Sequence, residues 1–239
     1  YLQHGPEALD FLAQHAELQF FPSGGPDYEP HLPGATISRT LLSPDFDGRR
    51  LGPLLQHLLP ALTQMGAPLG MQVGFADIEP LTNAHRSFTA LRTSLRLYAR
   101  HLGDLLRFGR ASRLTNGNAM TARLLKGAAD AGVTLWSKAP AVELLMHDGA
   151  VQGAVVEREG GRARIHARRG VVLASGGFGA NETLRQAHIP MADVMCSLQP
   201  EGCQGDGICM ATTAGAVLAQ GNVANAIWTS MSVEPKAAG

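Results

Sequence analysis

The chain has 239 residues, 45% of them hydrophobic and 17% charged, which is enough to bury a sizeable core in one large domain or two small ones. Its 20 Lys and Arg balance 20 Asp and Glu, so the chain lacks the net basic field that is typical of nucleic-acid binding, and we expect no such partner. No apolar run approaches the length of a membrane span, and residues 1–15 lack a signal-peptide pattern.

The first fifty residues contain one predicted helix and a long irregular stretch. Residues 7–18 carry apolar side chains at helical spacing. Residues 20–50 are rich in proline and glycine, above all in "FFPSGGPDYEPHLPGA", which predicts turns and extended chain. Position 1 is not a methionine, and residues 232–239 complete no strand or capped helix, so we expect an internal piece of a longer protein.

Residues 51–113 are predicted to be mostly helical, with a break or kink at Pro60. In the second half of this region the apolar positions repeat at helical spacing and are predicted to face inward: Phe88, Leu91, Leu95, Tyr98, Leu102 and Leu105 or Leu106. The arginines between them are predicted to form a solvated face: Arg92, Arg96, Arg100 and Arg107.

From residue 116 onward the pattern changes to alternating helices and strands. A helix is predicted from Asn116, as its N-cap, to Gly132. Strand candidates follow at residues 133–138, 141–149, 150–159, 162–169 and 170–175. Because polar residues flank Gly160 and Gly161, the stretch "EREGGRARI" predicts a β-hairpin. The alternation predicts an α/β domain with a parallel sheet and a small antiparallel hairpin.

Two glycine motifs stand out in the last third. In "GVVLASGGFGAN", residues 170–181, glycines directly follow a predicted strand, which indicates either an ordinary turn or a ligand lying close to the backbone. In "GDGICMATTAGAVL" a helix is predicted to begin just after Gly205-Asp206-Gly207. Asp206 either caps this helix or accepts a hydrogen bond from a bound cofactor.

The three cysteines indicate the cellular compartment of the protein and whether it holds a metal site. Cys196, Cys203 and Cys209 form no CxxC pair and have no histidine at ligand spacing, so we expect no metal site. An odd number of cysteines without a secretory signal predicts a reducing cytoplasm.

The order of these motifs resembles that of the FAD-dependent flavoproteins of the fumarate reductase and succinate dehydrogenase superfamily. The resemblance extends over residues 110–219 and rests on "NGNAMTARLLKGAADAG", "VVLASGGFGAN" and "GDGICMATTAGAVL". Residues 20–55 are most similar to the 3-ketosteroid dehydrogenase branch. The fold implied is an α/β three-layer FAD-binding domain, present in part.

The resemblance also implies a cofactor and its ligands. FAD would lie beside the glycines of "SGGF", with its adenine near Ala141 and Val142 and with Asp206 facing it. The implied cofactor-binding residues are Ala141, Val142, Ala174, Ser175, Gly176, Gly177, Phe178, Asn181, Gly205, Asp206 and Gly207. Tyr28, in the segment "PDYEP", is the implied proton-handling residue, with a hydrogen-bonded loop tyrosine as the alternative.

The sequence departs from the family pattern in two places. No G-x-G-x-x-G follows a strand, so we expect the N-terminal dinucleotide-binding unit to be missing. Gln204 stands where the family usually has a threonine before Gly-Asp-Gly. We therefore expect residues 1–225 to be part of the FAD-binding domain, with a helical insertion at about 51–113, and residues 226–239 to begin a catalytic domain.

The activity implied is hydride transfer between a substrate carbon and the flavin, most simply the desaturation of a CH–CH bond in a small molecule, with a steroid as one candidate. A fumarate- or urocanate-type reductase of the same superfamily is the alternative and would need arginines that clamp a carboxylate. A non-catalytic interaction module is the alternative from another class. The sequence leaves the oligomeric state open.

Overall fold

The structure is a computed structural model that describes residues 3–61, 67–219, 221–222 and 225–226. The chain divides into two compact units, Tyr1–Ser137 and Lys138–Gly239. The sequence did not predict this division. Of the predicted catalytic-domain start at 226–239, all but the first residue lies outside the described residues. The predicted boundary near residue 225 therefore stays a prediction.

The first unit contains four α-helices and two short antiparallel strand pairs within its described residues. Helix α1 spans Gly5–Ala16, α2 Phe75–Thr82, α3 Phe88–Phe108 and α4 Asn116–Asp130. Strand β1 (Phe21–Pro22) pairs with β2 (Leu41–Leu42), and β3 (Phe46–Asp47) pairs with β4 (Arg113–Leu114). The predicted helix at 7–18 and the loop-rich region at 20–50 are thus confirmed.

The core of the first unit lies where β3, β4, α4 and a 3₁₀ segment at Gly48–His57 meet. It consists of the buried side chains Phe46, Leu51, Leu55, Leu114, Ala119 and Ala122. Arg123 of α4 is buried beside this cluster, with its guanidinium 5.1 Å from the centre of the Phe46 ring. It donates to the carbonyls of Pro44 and Asp45 at 2.7 and 2.9 Å. Burial lowers the pKa of Arg123, and these carbonyls stabilise its charge.

Helix α3 forms as predicted but buries a different face. Its apolar positions are largely exposed, with Phe88 at 83% and Leu106 at 91% of their full exposure. The buried side chains are Ala90, Ser94, His101 and Asp104. Three of these are held by hydrogen bonds: Ser94 Oγ donates to the Pro80 carbonyl at 3.0 Å, His101 Nε2 lies 2.9 Å from the Leu69 carbonyl oxygen, and Asp104 accepts from the Ser112 amide at 2.9 Å. The inward-facing apolar stripe predicted for this helix is therefore wrong. The exposed arginine face is confirmed for Arg92, Arg96, Arg100 and Arg107.

The start of helix α4 also differs from the prediction. Thr115 occupies the N-cap position, and Asn116 is the first helical residue. The Asn116 side chain instead donates to the Val73 carbonyl at 3.0 Å. This tertiary bond holds the Asn116 side chain against the segment around Val73, and the helix begins one residue earlier than predicted. The predicted end is confirmed, since Gly132 follows the last turn.

The second unit is built on a three-stranded antiparallel sheet and two short helices. Strands β5 (Ala141–His147), β6 (Ala150–Arg158) and β7 (Gly161–His166) lie in the order β5-β6-β7. The predicted hairpin is confirmed, because β6 and β7 pair from Arg158 opposite Gly161 to Gly153 opposite His166. Helix α5 spans Glu182–His188 and α6 spans Asp206–Thr213.

Two predicted strands and the parallel sheet do not form in the described chain. Residues 133–138 and 170–175 carry no strand assignment, and every strand pair among the described residues is antiparallel. A strand requires a hydrogen-bonded neighbour, and no described segment pairs with either stretch. The strands predicted at 133–138 and 170–175 are therefore wrong for the described chain, in which neither stretch has a pairing partner.

Candidate functional site

The first glycine motif forms a tight turn between a segment without regular secondary structure and helix α5. After Ser175 the backbone of Gly176 adopts φ +82°, a left-handed conformation that favours glycine. The turn ends at Asn181, which caps α5 by accepting a hydrogen bond from the Leu184 amide to Oδ1 at 3.0 Å. The turn therefore has a defined shape, fixed at one end by a helix cap.

The second glycine motif is hydrogen-bonded to the first along its backbone. The Gly205 amide donates to the Gly177 carbonyl at 3.1 Å, and the Ala180 amide donates to the Cys203 carbonyl at 3.0 Å. Asn181 adds a third bond, because its Nδ2 donates to the Gln204 carbonyl at 2.9 Å. The two motifs, which are distant in sequence, are thus one structural element.

Gln204, which replaces the usual threonine, closes the loop just before this junction. Its Nε2 donates to the Glu201 carbonyl at 2.6 Å, and its own carbonyl accepts the Asn181 bond. A long amide side chain thus secures the turn.

Helix α6 begins directly after this junction, and its N-cap is Gly205, in a left-handed conformation with φ +84°. Asp206 is the first helical residue, and its exposed carboxylate makes no hydrogen bond or ion pair with the described part of the chain. The capping hydrogen bond that was one interpretation of Asp206 is therefore not observed. The carboxylate stays available beside the positive end of the helix dipole.

Several glycines of the site are required by contacts within the chain. A Cβ on Gly207 would lie 2.3 Å from Ser175 Oγ, and one on Gly205 would lie 2.5 Å from Leu184 Cδ1. A Cβ on Gly179 would lie 2.8 Å from the side chains of Gln199 and Ser197. By contrast, a Cβ on Gly177 would make only an ordinary contact, 3.4 Å from Gln199 Oε1. Gly205 and Gly207 therefore allow the two motifs to pack together, whereas Gly179 makes room for the side chains of Ser197 and Gln199 in the intervening loop.

An apolar cleft of about 230 Å³ opens beside the junction. Its walls are residues 173–176, the first turn of α6 after Asp206, and the small side chains Ala211 and Ala216. Pockets that enclose a whole drug-sized ligand measure about 300 to 1,000 Å³, so this cleft fits one part of a dinucleotide cofactor. The residues present thus fit one wall of a FAD site.

The third candidate segment lies at the start of β5, and helix α6 packs against this strand. Ala141 is half-buried and pairs with Val156, while Val142 is 38% exposed. Because β5 is an edge strand of its sheet, one side of its backbone is unpaired within the described residues. All the candidate cofactor residues, from Ala141 to Gly207, thus belong to the second unit.

Tyr28 belongs to the first unit and is fully exposed. It lies in a loop fastened by Asp27, whose carboxylate accepts from the Thr36 amide at 3.0 Å and pairs with Arg39 at 3.1 Å. The phenol hydroxyl has no hydrogen-bond partner among the described residues. The structure thus shows neither the proton-handling contact nor the hydrogen-bonded loop tyrosine.

Two residues that contact the glycines of the site were not identified from the sequence. Gln199 accepts from the Gly179 amide at 3.2 Å, and Leu184 fills the space above Gly205. No sequence signal marks them, because both act across the loop. The cap at Asn181 could have been found, since Asn followed by Glu is a common helix start.

Two general features concern ligands and membranes. Within the described residues, His, Cys, Asp and Glu form no group of three that could hold a metal ion. Across residues 3–61, 67–219 and the short stretches beyond, none of the helices combines the length and the apolar composition that crossing a bilayer needs.

Comparison with known proteins defines the class. The family model of the FAD binding domain matches residues 1–238, and the chain belongs to this family. Its fold is that of part of a FAD-binding domain, and FAD is the cofactor of the class.

Individual relatives are ring-ketone dehydrogenases. The chain is 37% identical over 196 residues to 4-oxocyclohex-2-ene-1-carboxylate 5-dehydrogenase of Sinomonas cyclohexanicum, covering 80% of this chain and 32% of that protein. It is 32% identical over 230 residues to 3-oxosteroid 1-dehydrogenase of Mycolicibacterium smegmatis, covering 91% and 39%.

A solved structure agrees with these relatives. The 3-ketosteroid delta1-dehydrogenase from Sterolibacterium denitrificans, in complex with 1,4-androstadiene-3,17-dione, matches with a TM-score of 0.77 and 31% identity, covering 91% of this chain and 40% of that one. The chain thus spans between 32% and 40% of the length of these three proteins. The expected resemblance to the 3-ketosteroid dehydrogenase branch is confirmed.

Proposed function

We propose that the protein is a FAD-dependent oxidoreductase that introduces a double bond into a CH–CH unit next to a ring ketone. The observation that carries this proposal is the junction of the two glycine motifs, whose geometry fits one wall of a flavin site in a chain of the FAD binding domain family. Two relatives support the proposed reaction, because both are dehydrogenases of a ring that carries an oxo group. A six-membered ring ketone, including a 3-oxosteroid, is the proposed substrate class.

The reaction removes one hydrogen from each of two neighbouring carbons. When bound, FAD supplies the acceptor for the hydride that leaves the carbon farther from the ketone. The carbon next to the ketone loses a proton, because the carbonyl stabilises the developing negative charge. The two electrons of that C–H bond then form the new double bond. The protein must therefore accept one proton and hold the ring in place.

Residues of this chain have distinct proposed roles in that scheme. The backbone of Ser175–Phe178 forms a wall that lies against the cofactor, and the Asp206 carboxylate accepts a hydrogen bond from a hydroxyl or ring N–H of the cofactor. Backbone groups of Ala141 and Val142 bind the edge of the adenine. Tyr28 is the proposed proton-handling residue, supported by the similarity of "PDYEP" to the ketosteroid branch and by its unpartnered hydroxyl.

The proposed compartment is the reducing cytoplasm. All three cysteines are free in the structure, including the exposed Cys196 and Cys209. Free exposed thiols are typical of proteins that are kept reduced.

The test is anaerobic reduction of the flavin in the complete gene product that carries these residues. We expect a 3-oxosteroid or 4-oxocyclohex-2-ene-1-carboxylate to bleach the oxidised flavin absorbance in a single turnover. Tyr28→Phe should keep the flavin and slow the bleaching by about 10²-fold or more, the usual contribution of a proton-transfer group. Bleaching by neither ketone, together with reoxidation of the reduced flavin by fumarate or urocanate, would establish the reductase alternative instead.

A further inference from the structure

The N-terminus of helix α6 has no capping side chain of its own. The N-cap residue is Gly205, and the first turn of any helix leaves backbone amides without intrahelical partners. One of these amides is satisfied from a distant segment, because the Gly207 N–H donates to Ser175 Oγ at 3.2 Å across 32 residues. The cap of α6 thus comes from the first glycine motif.

The same two residues are complementary in shape. A Cβ on Gly207 would lie 2.3 Å from Ser175 Oγ, which is too close for a non-bonded carbon and oxygen, whereas it would lie 3.6 Å from Ser175 Cβ and 3.7 Å from Leu173 Cβ. The hydroxyl of Ser175 therefore fills the space that a side chain at position 207 would need. An alanine at 175 would leave room for an alanine at 207.

We propose that Ser175 is a positioning residue that caps helix α6 from the first glycine motif and thereby fixes the first turn, which carries Asp206. We further propose that position 207 is glycine because the Ser175 hydroxyl cannot make room for a side chain there without giving up its bond to the Gly207 amide. This assigns to the Ser175 side chain a role other than contact with the cofactor, while its backbone remains part of the proposed wall. The cap is independent of the proposed function, whereas the role of Asp206 in holding FAD rests on it.

The cap is tested in the 239-residue chain by amide hydrogen exchange of Gly207, measured by NMR. Ser175→Ala removes the acceptor, so exchange at Gly207 should accelerate about 3- to 10-fold, the free-energy scale of one hydrogen bond. Ser175→Thr keeps the hydroxyl and should keep the protection. Unchanged exchange in Ser175→Ala would overturn the proposal.

The shape argument is tested by a double-mutant cycle in the same chain. Gly207→Ala should lower the urea midpoint of the second unit, and the same change in a Ser175→Ala background should lower it much less or not at all. An equal loss in both backgrounds would show that Ser175 does not fill this space. If Gly207→Ala alone fails to fold while the double variant folds, the rescue itself supports the proposal, and failure of both to fold would contradict it.

A third measurement distinguishes a positioning role of Ser175 from direct contact of its side chain with the cofactor. It measures the FAD affinity of the complete gene product. The affinity should fall in Ser175→Ala, and the same change in an Asp206→Ala background should cause no further fall, because Ser175 acts through the turn that carries Asp206. An equal fall in both backgrounds would indicate that the Ser175 side chain touches the cofactor and would overturn the positioning role. If the unmodified protein bound no FAD, the proposed function would fail, while the exchange data would still decide the cap.

Discussion

At the scale of single residues, the Asp206 carboxylate is the group for which the sequence left two chemistries open. A carboxylate at a helix start is usually a cap, and only the neighbours decide whether it has another task. Here the cap position is Gly205 and the Gly207 amide is bound to Ser175, so the cap does not need Asp206. The sequence could place an acid at this helix end, but it could not show that a serine 32 residues away would take over the cap.

Asp206→Ala is therefore expected to weaken FAD binding by about 10-fold or more in the complete gene product, because a hydrogen bond to a charged acceptor is lost. Its effect on the free energy of unfolding should stay below about 1 kcal/mol, the size of a charge–dipole interaction in the first turn. FAD titration and urea unfolding measure the two quantities. Asp193→Ala, which removes another exposed carboxylate in the second unit, is the matched control and should leave FAD affinity unchanged.

Full flavin occupancy in Asp206→Ala, with a loss of about 1 kcal/mol in stability, would restore the capping interpretation. The cofactor-binding hypothesis thus predicts that FAD affinity falls more than the free energy of unfolding does, and the capping hypothesis predicts that only the free energy of unfolding falls.

At the scale of elements, helices were predicted more reliably than the faces they bury. The bounds of α3 follow from its periodicity, from the cap at Ser87, whose side chain accepts from the Ala90 amide, and from Gly109 at its end. The same helix carries a polar stripe with Ser94, His101 and Asp104, and tertiary hydrogen bonds hold that stripe inward. Periodicity alone predicts that the apolar stripe is buried, because it contains no information about hydrogen-bonding carbonyls and amides on neighbouring segments.

Asn181 joins two elements, because one side-chain atom caps α5 and the other binds the loop before α6. Asn181→Ala removes both bonds and should lower the free energy of unfolding of the second unit by about 1 to 2 kcal/mol. Asn181→Ser keeps a capping oxygen and loses only the donor to Gln204, so it should cost about half as much. Urea unfolding followed by far-UV circular dichroism measures both.

Equal losses in the two Asn181 variants would mean that the helix cap contributes nothing, whereas no loss in Asn181→Ser would mean that the Gln204 bond contributes nothing and that Asn181 acts only as a helix cap. Gln186→Ala, on the exposed side of α5, is a suitable control because it removes only a surface hydrogen bond to Glu182.

At the scale of the whole molecule, the sequence identified the α/β class and the hairpin, while the parallel sheet it suggested is not among the described residues. A hairpin is specified locally by its turn, as with Glu159 and Gly160 between β6 and β7. A parallel strand depends on a neighbouring strand that is remote in sequence. The apolar run at 170–175 contains no information about which segment that neighbour is. The site was recognised from two short motifs, but their mutual hydrogen bonds could be known only from the structure.

Most of the binding energy for a dinucleotide pyrophosphate comes from amides of a glycine-rich loop at a helix N-terminus, and this sequence has no G-x-G-x-x-G after a strand. We therefore expect the purified 239-residue chain to be colourless, to bind FAD weakly and to lack dehydrogenase activity. Fluorescence titration with FAD, with riboflavin as the control that lacks a pyrophosphate, should give similarly weak binding for both ligands. Tight one-to-one binding of FAD alone would show that the pyrophosphate is gripped by these residues.

The bonds between the two glycine motifs also have a consequence for the stretch between them. Because Ala180 is tied to Cys203 and Gly177 to Gly205, residues 181–202 form a loop that is closed at its base. The entropic penalty of lengthening such a closed loop rises only logarithmically, by about 0.6 kcal/mol for each doubling. We therefore expect an insertion after the exposed Pro190 to cost little through loop closure itself, as long as the buried Ala192 keeps its place.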